Sequence, residues 1–299
     1  MKPAKYFLYR CLSRKMHYLF SDKTVIEGMF REVFGRELDL ANPVTFNEKL
    51  QWMKLYDRDP LKVQCADKYA VREYVRQKGF GHILNELYDV YETVGEIDFD
   101  SLPDSYVLKA THGSGWNVLV KDGLVTIGRQ TRDLKTARSR LKKWLRKSQY
   151  IRYREWCYKD IQPRIVCEKY LESGDGSDGA PADYKIYCFH GKPKAIQVIV
   201  GRSVSPQQAF YDVHWQKIDL ISVTYPPCHR EIEAPGCLKE MLEISTALSS
   251  EFLYVRVDLY DLDGKPIFGE MSFYPGSGLL QFTPTCYDIE FGKILKLPL

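Results

Sequence analysis

Several patterns that mark common protein classes are missing from this sequence of 299 residues. None of its eight cysteines forms a Cys-x-x-Cys pair, so their spacing gives no support for a zinc site. No stretch approaches the run of about 18 apolar residues that spans a membrane. No Gly-Lys-Ser/Thr motif stands at the spacing of a Walker phosphate loop, which excludes that type of nucleotide site.

The sequence also lacks a residue set for nucleophilic catalysis and a pattern of disulfide-forming cysteines. The six histidines are scattered along the chain and form no Ser/His/Asp or Cys/His set for nucleophilic catalysis. No cysteine pattern indicates a disulfide framework, and Cys167 and Cys188 lie in strand-like apolar runs, where a thiol behaves as a small hydrophobe. We therefore expect reduced thiols and a cytoplasmic location.

The composition is that of an ordinary globular protein, with 44% hydrophobic and 27% charged residues. The length allows one large domain or two small ones with a substantial core. No internal repeat or low-complexity segment stands out. The net charge of +4 says little about partners, so the local distribution of charge is more informative.

The first 20 residues are basic and aromatic, and Arg10 and Arg14 interrupt what would otherwise be an apolar stretch. The unbroken apolar core of a signal peptide is therefore absent. The segment predicts an amphipathic helix. It either packs on the domain or contacts the inner face of a membrane through its aromatic and basic side chains.

The segment 129–154 is strongly basic. It holds eleven Lys and Arg residues against a single acid, Asp133. Leu134, Leu141 and Leu145 recur at helical spacing, so we expect one amphipathic helix with a basic outer face. Solvated faces usually mix both signs of charge. The basic face is therefore either an unusual solvated face or the binding surface for an anionic partner, which could be an acidic glycan, a phosphoglycolipid or a nucleic acid.

The stretch from Arg256 to Gly278 predicts two short strands joined by a turn at 261–264. Because side chains alternate along a strand, Arg256 and Asp258 share one face of the first strand, and Glu270 and Ser272 share one face of the second. The same alternation distributes the other side chains of the second strand: Phe268 on the polar face, and Ile267, Met271 and Phe273 on the core face.

Two carboxylates that face one space repel each other unless a cation lies between them. A bound Mg²⁺ at Asp258 and Glu270 relieves this repulsion, and the nearby Arg256 indicates that phosphate accompanies the metal. The alternative is a solvated sheet face with an ordinary salt bridge.

A second candidate site follows the predicted strand 106–110. Lys109 stands near the end of that strand, before the glycine- and serine-rich turn 111–117. Glycines let backbone N–H groups approach phosphates closely, and the lysine supplies positive charge. A plain hairpin turn is the alternative. Lys68, placed by Asp67 in the first turn of a predicted helix, would also meet an anion there.

These elements, in this order, resemble the ATP-grasp fold. The matching pieces are a helix with Asp67-Lys68-Tyr69, a strand ending in Lys109, a strand running into Glu168-Lys169-Tyr170-Leu171, a strand pair beginning Asp183-Tyr184-Lys185 with Arg202 after it, and the closing hairpin. The stretch 45–52, with its Thr-x-x-Glu capping box, and the Leu-Lys-Ala-Thr-His-Gly-Ser-Gly loop are similar to the TupA-like branch. That branch is associated with bacterial polysaccharide or teichuronopeptide biosynthesis.

The resemblance implies an α+β fold in which two subdomains clasp ATP between antiparallel sheets. It implies an N-terminal helical segment over residues 1–60 and an ATP-grasp catalytic domain over residues 61–299. The lid subdomain would cover about residues 105–175.

The resemblance also implies roles for individual residues. The adenine would be read by Glu168, Lys169, Tyr170 and Leu171, and the ribose by Asp175. The phosphates would be held by Lys68, Lys109, Lys185 and the lid loop His112, Gly113, Ser114 and Gly115. Catalytic roles fall on Arg256, Lys185 and Arg202. One or two Mg²⁺ ions would be held by Asp258, Glu270 and Ser272, although the family pattern usually has Asn where Ser272 stands.

The implied activity is ATP- and Mg²⁺-dependent ligation of a carboxylate to an amine through an acyl phosphate. The family context indicates a uronic acid of a capsular or cell-wall polysaccharide and an amino acid or other amine, with the acidic glycan on segment 129–154. A small-molecule or sugar kinase on the same ATP site stays open. So does a glycosyltransferase that uses Asp261-Leu262-Asp263. A nucleic-acid-binding or membrane-binding module leaves Lys109, Glu168 and the hairpin unexplained.

Overall fold

A computed structural model of the chain describes residues 19–172, 180–202 and 204–299. The predicted membrane contact, except for its last two residues, and the predicted ribose ligand Asp175 lie outside these ranges. The described α-helices are α1 (Asp22–Phe34), α2 (Phe46–Tyr56), α3 (Leu61–Ala66), α4 (Val71–Gln77), α5 (Leu134–Leu145), α6 (Gln149–Tyr153), α7 (Leu238–Ser249) and α8 (Cys286–Ile294). None of the helices in these ranges is long and apolar enough to cross a membrane.

The strands belong to two six-stranded antiparallel sheets and one small pair. They are β1 (Leu87–Tyr91), β2 (Tyr106–Ala110), β3 (Asn117–Lys121), β4 (Leu124–Ile127), β5 (Gln130–Arg132), β6 (Ile165–Lys169), β7 (Asp183–Phe189), β8 (Lys192–Val200), β9 (Gln207–Tyr211), β10 (Lys217–Ile218), β11 (Ile221–Ser222), β12 (Tyr254–Leu262), β13 (Lys265–Ser272) and β14 (Phe282–Thr283). The first sheet has the order β1-β6-β2-β3-β4-β5, and the second has the order β10-β9-β8-β7-β12-β13.

Each large sheet packs one face on its own core. In the first sheet, alternate residues such as Leu108 and Val118 are buried with Leu141 and Trp144 of α5. The second sheet is buried against α2 and α7 in a larger core. The seven cysteines of the described ranges are free thiols, as the sequence predicts for them. Two antiparallel sheets with helices on them confirm the predicted α+β class.

The capping box predicted at the start of α2 is confirmed. The Thr45 hydroxyl accepts a hydrogen bond from the Glu48 amide at 3.3 Å, and the Glu48 carboxylate accepts one from the Thr45 amide at 2.9 Å. These bonds satisfy amides that the first turn of a helix leaves without partners. They fix the start of the helix on which the turn after the β12–β13 hairpin rests.

Polar side chains of α2 hold that turn, which covers Pro275–Gly278, and the loop beyond it. Gln51 donates to the Ser277 carbonyl at 3.1 Å, Lys54 donates to the Ser277 hydroxyl at 2.9 Å, and Asn47 donates to the Leu280 carbonyl at 2.7 Å. All three side chains are buried, so their polar groups need partners inside the protein. The chain leaving β13 is thereby held against a helix more than 200 residues earlier in the sequence.

The basic segment is not one helix, contrary to the prediction for 129–154. Its first residues form β5, which pairs with β4, and the helix α5 begins only after Asp133 caps the Thr136 amide at 2.6 Å. A second cap at Ser148, whose hydroxyl accepts from the Ile151 amide at 3.3 Å, starts the separate helix α6. The two caps interrupt a charge pattern that looked continuous, but the basic outer face of α5 remains.

The helix predicted after Asp67 also begins later than expected. Its first residue is Val71, and Asp67 instead caps the turn before it, where its carboxylate accepts from the Tyr69 amide at 2.8 Å and the Ala70 amide at 3.3 Å. Lys68 therefore lies in this turn and not in the first turn of α4. Its amide donates to the Thr111 carbonyl at 3.3 Å, which joins the turn to the glycine-rich loop.

A β-bulge in β13 corrects the predicted faces of the hairpin. Asp258 pairs with Glu270, but the next residue of β12, Leu259, pairs with Phe268, so Gly269 is an extra residue. An inserted residue reverses the alternation beyond it. Phe268 is therefore buried in the core, and Ile267 takes the polar face that the sequence assigned to Phe268.

The bulge requires glycine, because a Cβ at position 269 would lie 2.9 Å from the Asp258 carbonyl oxygen and 3.2 Å from the Tyr260 ring. We expect Gly269→Ala to lower the free energy of unfolding by about 1–3 kcal/mol through this overpacking. Gly236→Ala is the matched control, since nothing lies within 4 Å of its Cβ position. Urea unfolding of both variants measures the effect, and equal stabilities would contradict the assigned bulge geometry.

Candidate functional site

The candidate site lies on the polar face of three adjacent strands, β7, β12 and β13. The register places Lys185 opposite Asp258, and Asp258 opposite Glu270. Arg256 lies two residues before Asp258 on the same face and is opposite Ser272. The five side chains that the sequence predicted for catalysis or metal binding here are therefore brought together by antiparallel pairing alone.

Asp258 is the most enclosed carboxylate of this group, with 2% of its surface exposed. Arg256 donates to it twice, from Nε at 2.6 Å and from Nη2 at 2.7 Å, and Lys185 Nζ donates at 2.6 Å. Burial would lower the pKa of Arg256, but the adjoining Asp258 carboxylate outweighs burial and raises it. Two cations and a carboxylate are thus locked in one buried arrangement.

Glu270 differs from Asp258 because it accepts no hydrogen bond within the described ranges. Its nearest cations are Lys68 Nζ at 3.5 Å and Arg256 Nη2 at 4.0 Å. Burial would raise its pKa, but Lys68, Lys185 and Arg256 lower it to about 2. Glu270 is therefore an ionised carboxylate whose oxygens are available to a ligand.

A third acid, Asp183, supports the same face from the start of β7. Its Oδ2 lies 2.7 Å from Lys185 Nζ and accepts a hydrogen bond from Arg202 at 2.5 Å, and Asp183 is buried. Burial opposes the charge of Lys185, but Asp183 and Asp258 raise the pKa of that lysine to about 12. Lys185 and Arg202, the other predicted catalytic residues, are thus held as permanent cations.

The oxygen atoms on this face fit a hard divalent cation. Asp258 and Glu270 offer carboxylates and Ser272 offers a hydroxyl, and Mg²⁺ prefers oxygen ligands. No group of three His, Cys, Asp or Glu side chains in ranges 19–172, 180–202 and 204–299 has metal-binding spacing. Mg²⁺ usually takes one or two carboxylates and completes its shell with water and substrate phosphates, so this limited set of ligands suits it.

The first sheet contributes a second charged group. Lys109 Nζ donates to Glu168 at 2.6 Å, and Arg72 contacts the other oxygen of that carboxylate at 3.4 Å. Burial would lower the pKa of Lys109, but Glu168 raises it. Lys109, Glu168 and Arg72 line one small cavity with Lys68 and Gly269, so the two sheets meet at this point.

The backbone at the end of β6 is partly hydrogen-bonded to the segment before β1 of the same chain. The Lys169 amide donates to the Glu86 carbonyl at 3.0 Å, and the Lys169 carbonyl accepts from the Asn85 side chain at 2.8 Å. The Lys169 carbonyl keeps a second lone pair, and within the described part of the chain the Leu171 amide has no hydrogen-bond partner. The ring of Tyr170, the remaining predicted adenine contact, lies 6.0 Å from Lys121 Nζ.

The glycine-rich loop is packed tightly and is joined through Lys68 to the polar face of β7, β12 and β13. A Cβ on Gly113 would lie 2.4 Å from the Trp116 ring, so only glycine fits there, and Gly115 has a φ of +71°. Lys68 Nζ donates to the Gly113 carbonyl at 2.8 Å. His112 is buried with its Nε2 3.0 Å from the Trp144 carbonyl, so its ring anchors the loop to α5.

Beside Glu270 lies a cavity of about 320 Å³, the size of a small ligand site. We refer to it as the acceptor cavity. Its lining includes Ser114 of the glycine-rich loop, Arg256, Glu270 and Ser272. The other lining residues come from α6 and the segments next to it, and from the chain that follows β13: Gln149, Arg152, Tyr153, Glu155, Tyr158, Phe273, Tyr274, Pro275, Gly276 and Ser277.

A family model described as TupA-like ATPgrasp matches residues 48–296. The chain belongs to the TupA-like ATP-grasp family. The predicted resemblance and the predicted fold are therefore confirmed. The roles of the individual site residues and the domain boundaries at 60 and 105–175 stay predictions.

Three solved structures are similar to this ATP-grasp protein over part of their length. A D-alanine–D-alanine ligase from Bacillus anthracis complexed with ATP is 20% identical, with a TM-score of 0.40 over 70% of this chain and 55% of the ligase. An L-amino acid ligase from Bacillus licheniformis is 14% identical, with a TM-score of 0.42 over 87% of this chain and 55% of that ligase. A D-alanine–D-alanine ligase from Helicobacter pylori is 13% identical, with a TM-score of 0.46 over 85% and 67%.

This chain therefore spans little more than half of the length of the first two ligases. A comparison with curated protein sequences gives no match.

The sequence reading missed several residues of the site in this ATP-grasp protein. Asp183 stands two residues before Lys185, and that spacing on a strand was a usable signal for a shared face. Glu155 directly follows the basic segment and is an isolated acid after eleven cations, which was a second signal. Ser277 lines the acceptor cavity and its hydroxyl is bonded by Lys54, and this packing between distant segments is reported by no local pattern.

The lowered pKa of Glu270 predicts how acid affects stability. Its folded pKa is about 2 against an ordinary value of 4.5, so its ion pairs stabilise the fold fully above about pH 4.5 and are lost as pH falls towards 2. Glu270→Gln lacks this titration. We expect the stability difference between wild type and variant to be constant from about pH 7 to 5 and to shrink below about pH 4.5.

Urea unfolding across that pH range measures the difference. Its size should stay near 1 kcal/mol because a partly exposed ion pair is screened by solvent. A difference that grows on acidification would show that Glu270 is not held ionised by these cations.

Proposed function

We propose that this ATP-grasp protein is an ATP- and Mg²⁺-dependent ligase that joins a carboxylate to an amine through an acyl phosphate. One observation carries the proposal. Glu270, an ionised carboxylate that accepts no hydrogen bond from the part of the chain that the structure describes, lies near Lys68 and Arg256 and lines the acceptor cavity. A ligand that needs both a cation-binding oxygen and positive charge around it, such as metal-bound ATP, suits such a place.

Different residues would bind the phosphates, the adenine and the Mg²⁺ ion of the nucleotide. Lys109, Lys185 and Arg256 supply positive charge to the phosphates, and Glu168 with the following backbone would contact the adenine. Asp258, Glu270 and Ser272 would hold Mg²⁺, whose charge helps to neutralise the transferring phosphoryl group. The locked ion pairs of Lys185 and Arg256 keep these cations in position before the substrate arrives, which is what phosphoryl transfer demands of a protein.

The proposed reaction has two steps. A substrate carboxylate oxygen attacks the γ-phosphorus of ATP, forming an acyl phosphate and releasing ADP. An amine then attacks the acyl carbon, the C–N bond forms, and phosphate leaves with the electron pair of the broken C–O bond. The cations around Arg256 and Lys185 stabilise the charge that develops in the first step.

We infer that the carboxylate belongs to a uronic acid of a capsular or cell-wall polysaccharide, and that the amine is an amino acid or a similar small molecule. The basic outer face of α5 and the loop after it support this. Its cations form no ion pair with a carboxylate in the described part of the chain: Lys135, Arg140, Lys142, Lys143, Arg146 and Lys147. We refer to these six residues as the basic surface.

The basic surface continues to the acceptor cavity. Burial and the neighbouring cations Lys143, Arg152 and Arg140 lower the pKa of Lys147, and Arg152 is itself a cavity residue. A polyanionic chain lying on α5 would therefore follow a continuous positive path to the site. Peripheral contact of residues 1–20 with the inner face of a membrane that carries lipid-linked glycan belongs to the same proposal.

The Asp261-Leu262-Asp263 motif has another explanation than nucleotide-sugar binding. The Asp261 carboxylate accepts from the Gly264 amide at 2.8 Å, and Asp263 and Gly264 both have positive φ, as the tight turn between β12 and β13 requires. Turn chemistry accounts for both acids, so we do not propose a glycosyltransferase.

We expect Glu270→Gln to lower ATP-dependent turnover by about 100-fold or more, because it removes a charge next to the transferring group. Glu243→Gln is the matched control, since Glu243 is an exposed residue of α7. The enzyme is incubated with ATP, Mg²⁺, uronates and a panel of amino acids, and ADP, phosphate and product mass are measured. Asp258→Asn is a poorer probe, because it leaves two buried cations without their partner.

Free phosphate together with an amide product supports the ligase. A phosphorylated product without free phosphate would mean that the protein is a kinase. The absence of any ATP binding by the wild type would remove both functions.

The basic surface predicts a selective loss of affinity. We expect replacing Arg140, Lys142 and Lys143 together by Gln to raise the KM for a polyuronate about tenfold at low salt, with little change for a monomeric uronate. Arg138 is left intact because its guanidinium lies 4.1 Å from the centre of the Phe99 ring. The control replaces Lys192, Lys194 and Lys239, which changes the net charge equally. Equal kinetics in both triple variants would refute the glycan path.

A further inference from the structure

One buried carboxylate of the acceptor cavity has no role in the ATP binding and phosphoryl transfer proposed above. Glu155 is 6% exposed and lines the same cavity as Arg256 and Glu270. Within the described ranges its carboxylate accepts one side-chain hydrogen bond of 3.5 Å or less, from Gln149 at 3.5 Å. Burial raises the pKa of Glu155, and the Ser277 hydroxyl acts in the opposite direction. Buried carboxylates are normally bound by strong donors, so this one is short of partners.

Lys54 and Arg152 are the cations whose charges act on Glu155, and both lower its pKa, but neither forms an ion pair with it within the described ranges. The Lys54 ammonium donates to the Ser277 hydroxyl at 2.9 Å and to the Tyr153 carbonyl at 3.1 Å. Ser277 holds the left-handed conformation with a φ of +61°, which is uncommon for a residue other than glycine. The hydroxyl is thus held between Lys54 and Glu155, and the carboxylate stays open towards the cavity.

The lining around Glu155 contains Arg152 and Arg256, which repel a cation, and several groups that attract one. Aromatic side chains surround the same cavity: Tyr153, Tyr158, Phe273 and Tyr274. Aromatic faces attract cations, and a buried carboxylate adds a full negative charge. The volume of about 320 Å³ is at the lower end of ligand sites and suits a molecule of amino-acid size better than a sugar polymer.

We propose that Glu155 binds the ammonium group of the amine co-substrate and accepts a proton from it before the amine attacks the acyl phosphate. The inference rests on the proposed ligase function. It adds the position of the second substrate, the chemical group that recognises it and the fate of its proton.

The protons and electrons balance. A bound R–NH₃⁺ gives one proton to the Glu155 carboxylate and becomes R–NH₂, which is nucleophilic. Its lone pair forms the C–N bond to the acyl carbon as the C–O bond to phosphate breaks. The second amine proton passes to the leaving phosphate, and Glu155 then returns its proton to solvent. Burial raises the pKa of Glu155, which strengthens it as a proton acceptor.

Hydroxylamine distinguishes a role of Glu155 in binding and deprotonating the amine from a role in forming the acyl phosphate. It is uncharged at neutral pH and traps acyl phosphates as hydroxamates, so it needs no ammonium site and no base. Glu155→Gln keeps the side-chain volume and removes the charge. With ATP, Mg²⁺ and a uronate, we expect the variant to form hydroxamate within about threefold of the wild-type rate and to lose about 10- to 100-fold in amino-acid-dependent amide formation.

The loss should fall mainly on the KM for the amine, with the KM for ATP unchanged, and Glu243→Gln should behave as the wild type. Amide formation by Glu155→Gln at the wild-type rate overturns the inference. Equal loss of hydroxamate and amide also overturns it, because Glu155 would then serve the first step or the fold. A wild-type protein that forms no hydroxamate refutes the proposed ligase function itself.

Discussion

The buried pairing of Asp258 with Arg256 and Lys185 is the interaction on which the rest of the site depends. A carboxylate that is 2% exposed is costly unless its charge is matched and its oxygens accept hydrogen bonds, and here three donors at 2.6–2.7 Å do both. Arg256 lies on β12 with Asp258, and Lys185 lies on the adjacent strand β7, so the register of β7 with β12 must be kept. The bulge at Gly269 then sets which side chains of β13 share this face.

The two sheets have complementary roles around that pairing. The second sheet carries the acids and most of the cations, and the first sheet adds Lys109, held by Glu168, and the glycine-rich loop. Two ion pairs lie at the junction, where Lys68 in the turn before α4 contacts Glu270 of the second sheet and Arg72 of α4 contacts Glu168 of the first. Charged contacts of this kind can exchange partners when a ligand arrives, whereas a packed apolar junction cannot do so without opening a cavity.

Much of the fold was readable from the sequence because its signals are local. The capping box at Thr45, the strand before the glycine-rich loop and the closing hairpin each depend on residues within a few positions of one another. The bulge could not be predicted because it depends on how β13 pairs with β12. The segment 129–154 was predicted as one helix because its continuous positive charge concealed the two helix caps, at Asp133 and Ser148. The acceptor cavity could not be predicted because Lys54, Glu155 and Ser277 come from three segments that are about 100 residues or more apart in sequence.

Lys68 joins three parts of the molecule at once. Its amide is bonded to Thr111, its ammonium contacts the Gly113 carbonyl, and the same ammonium faces Glu270. A ligand that draws the ammonium towards a phosphate must weaken its hold on the loop or on the acid, and the effect is reciprocal by thermodynamic linkage. Lys68 therefore links the glycine-rich loop to Glu270, so a change in the position of one alters the energy of the other.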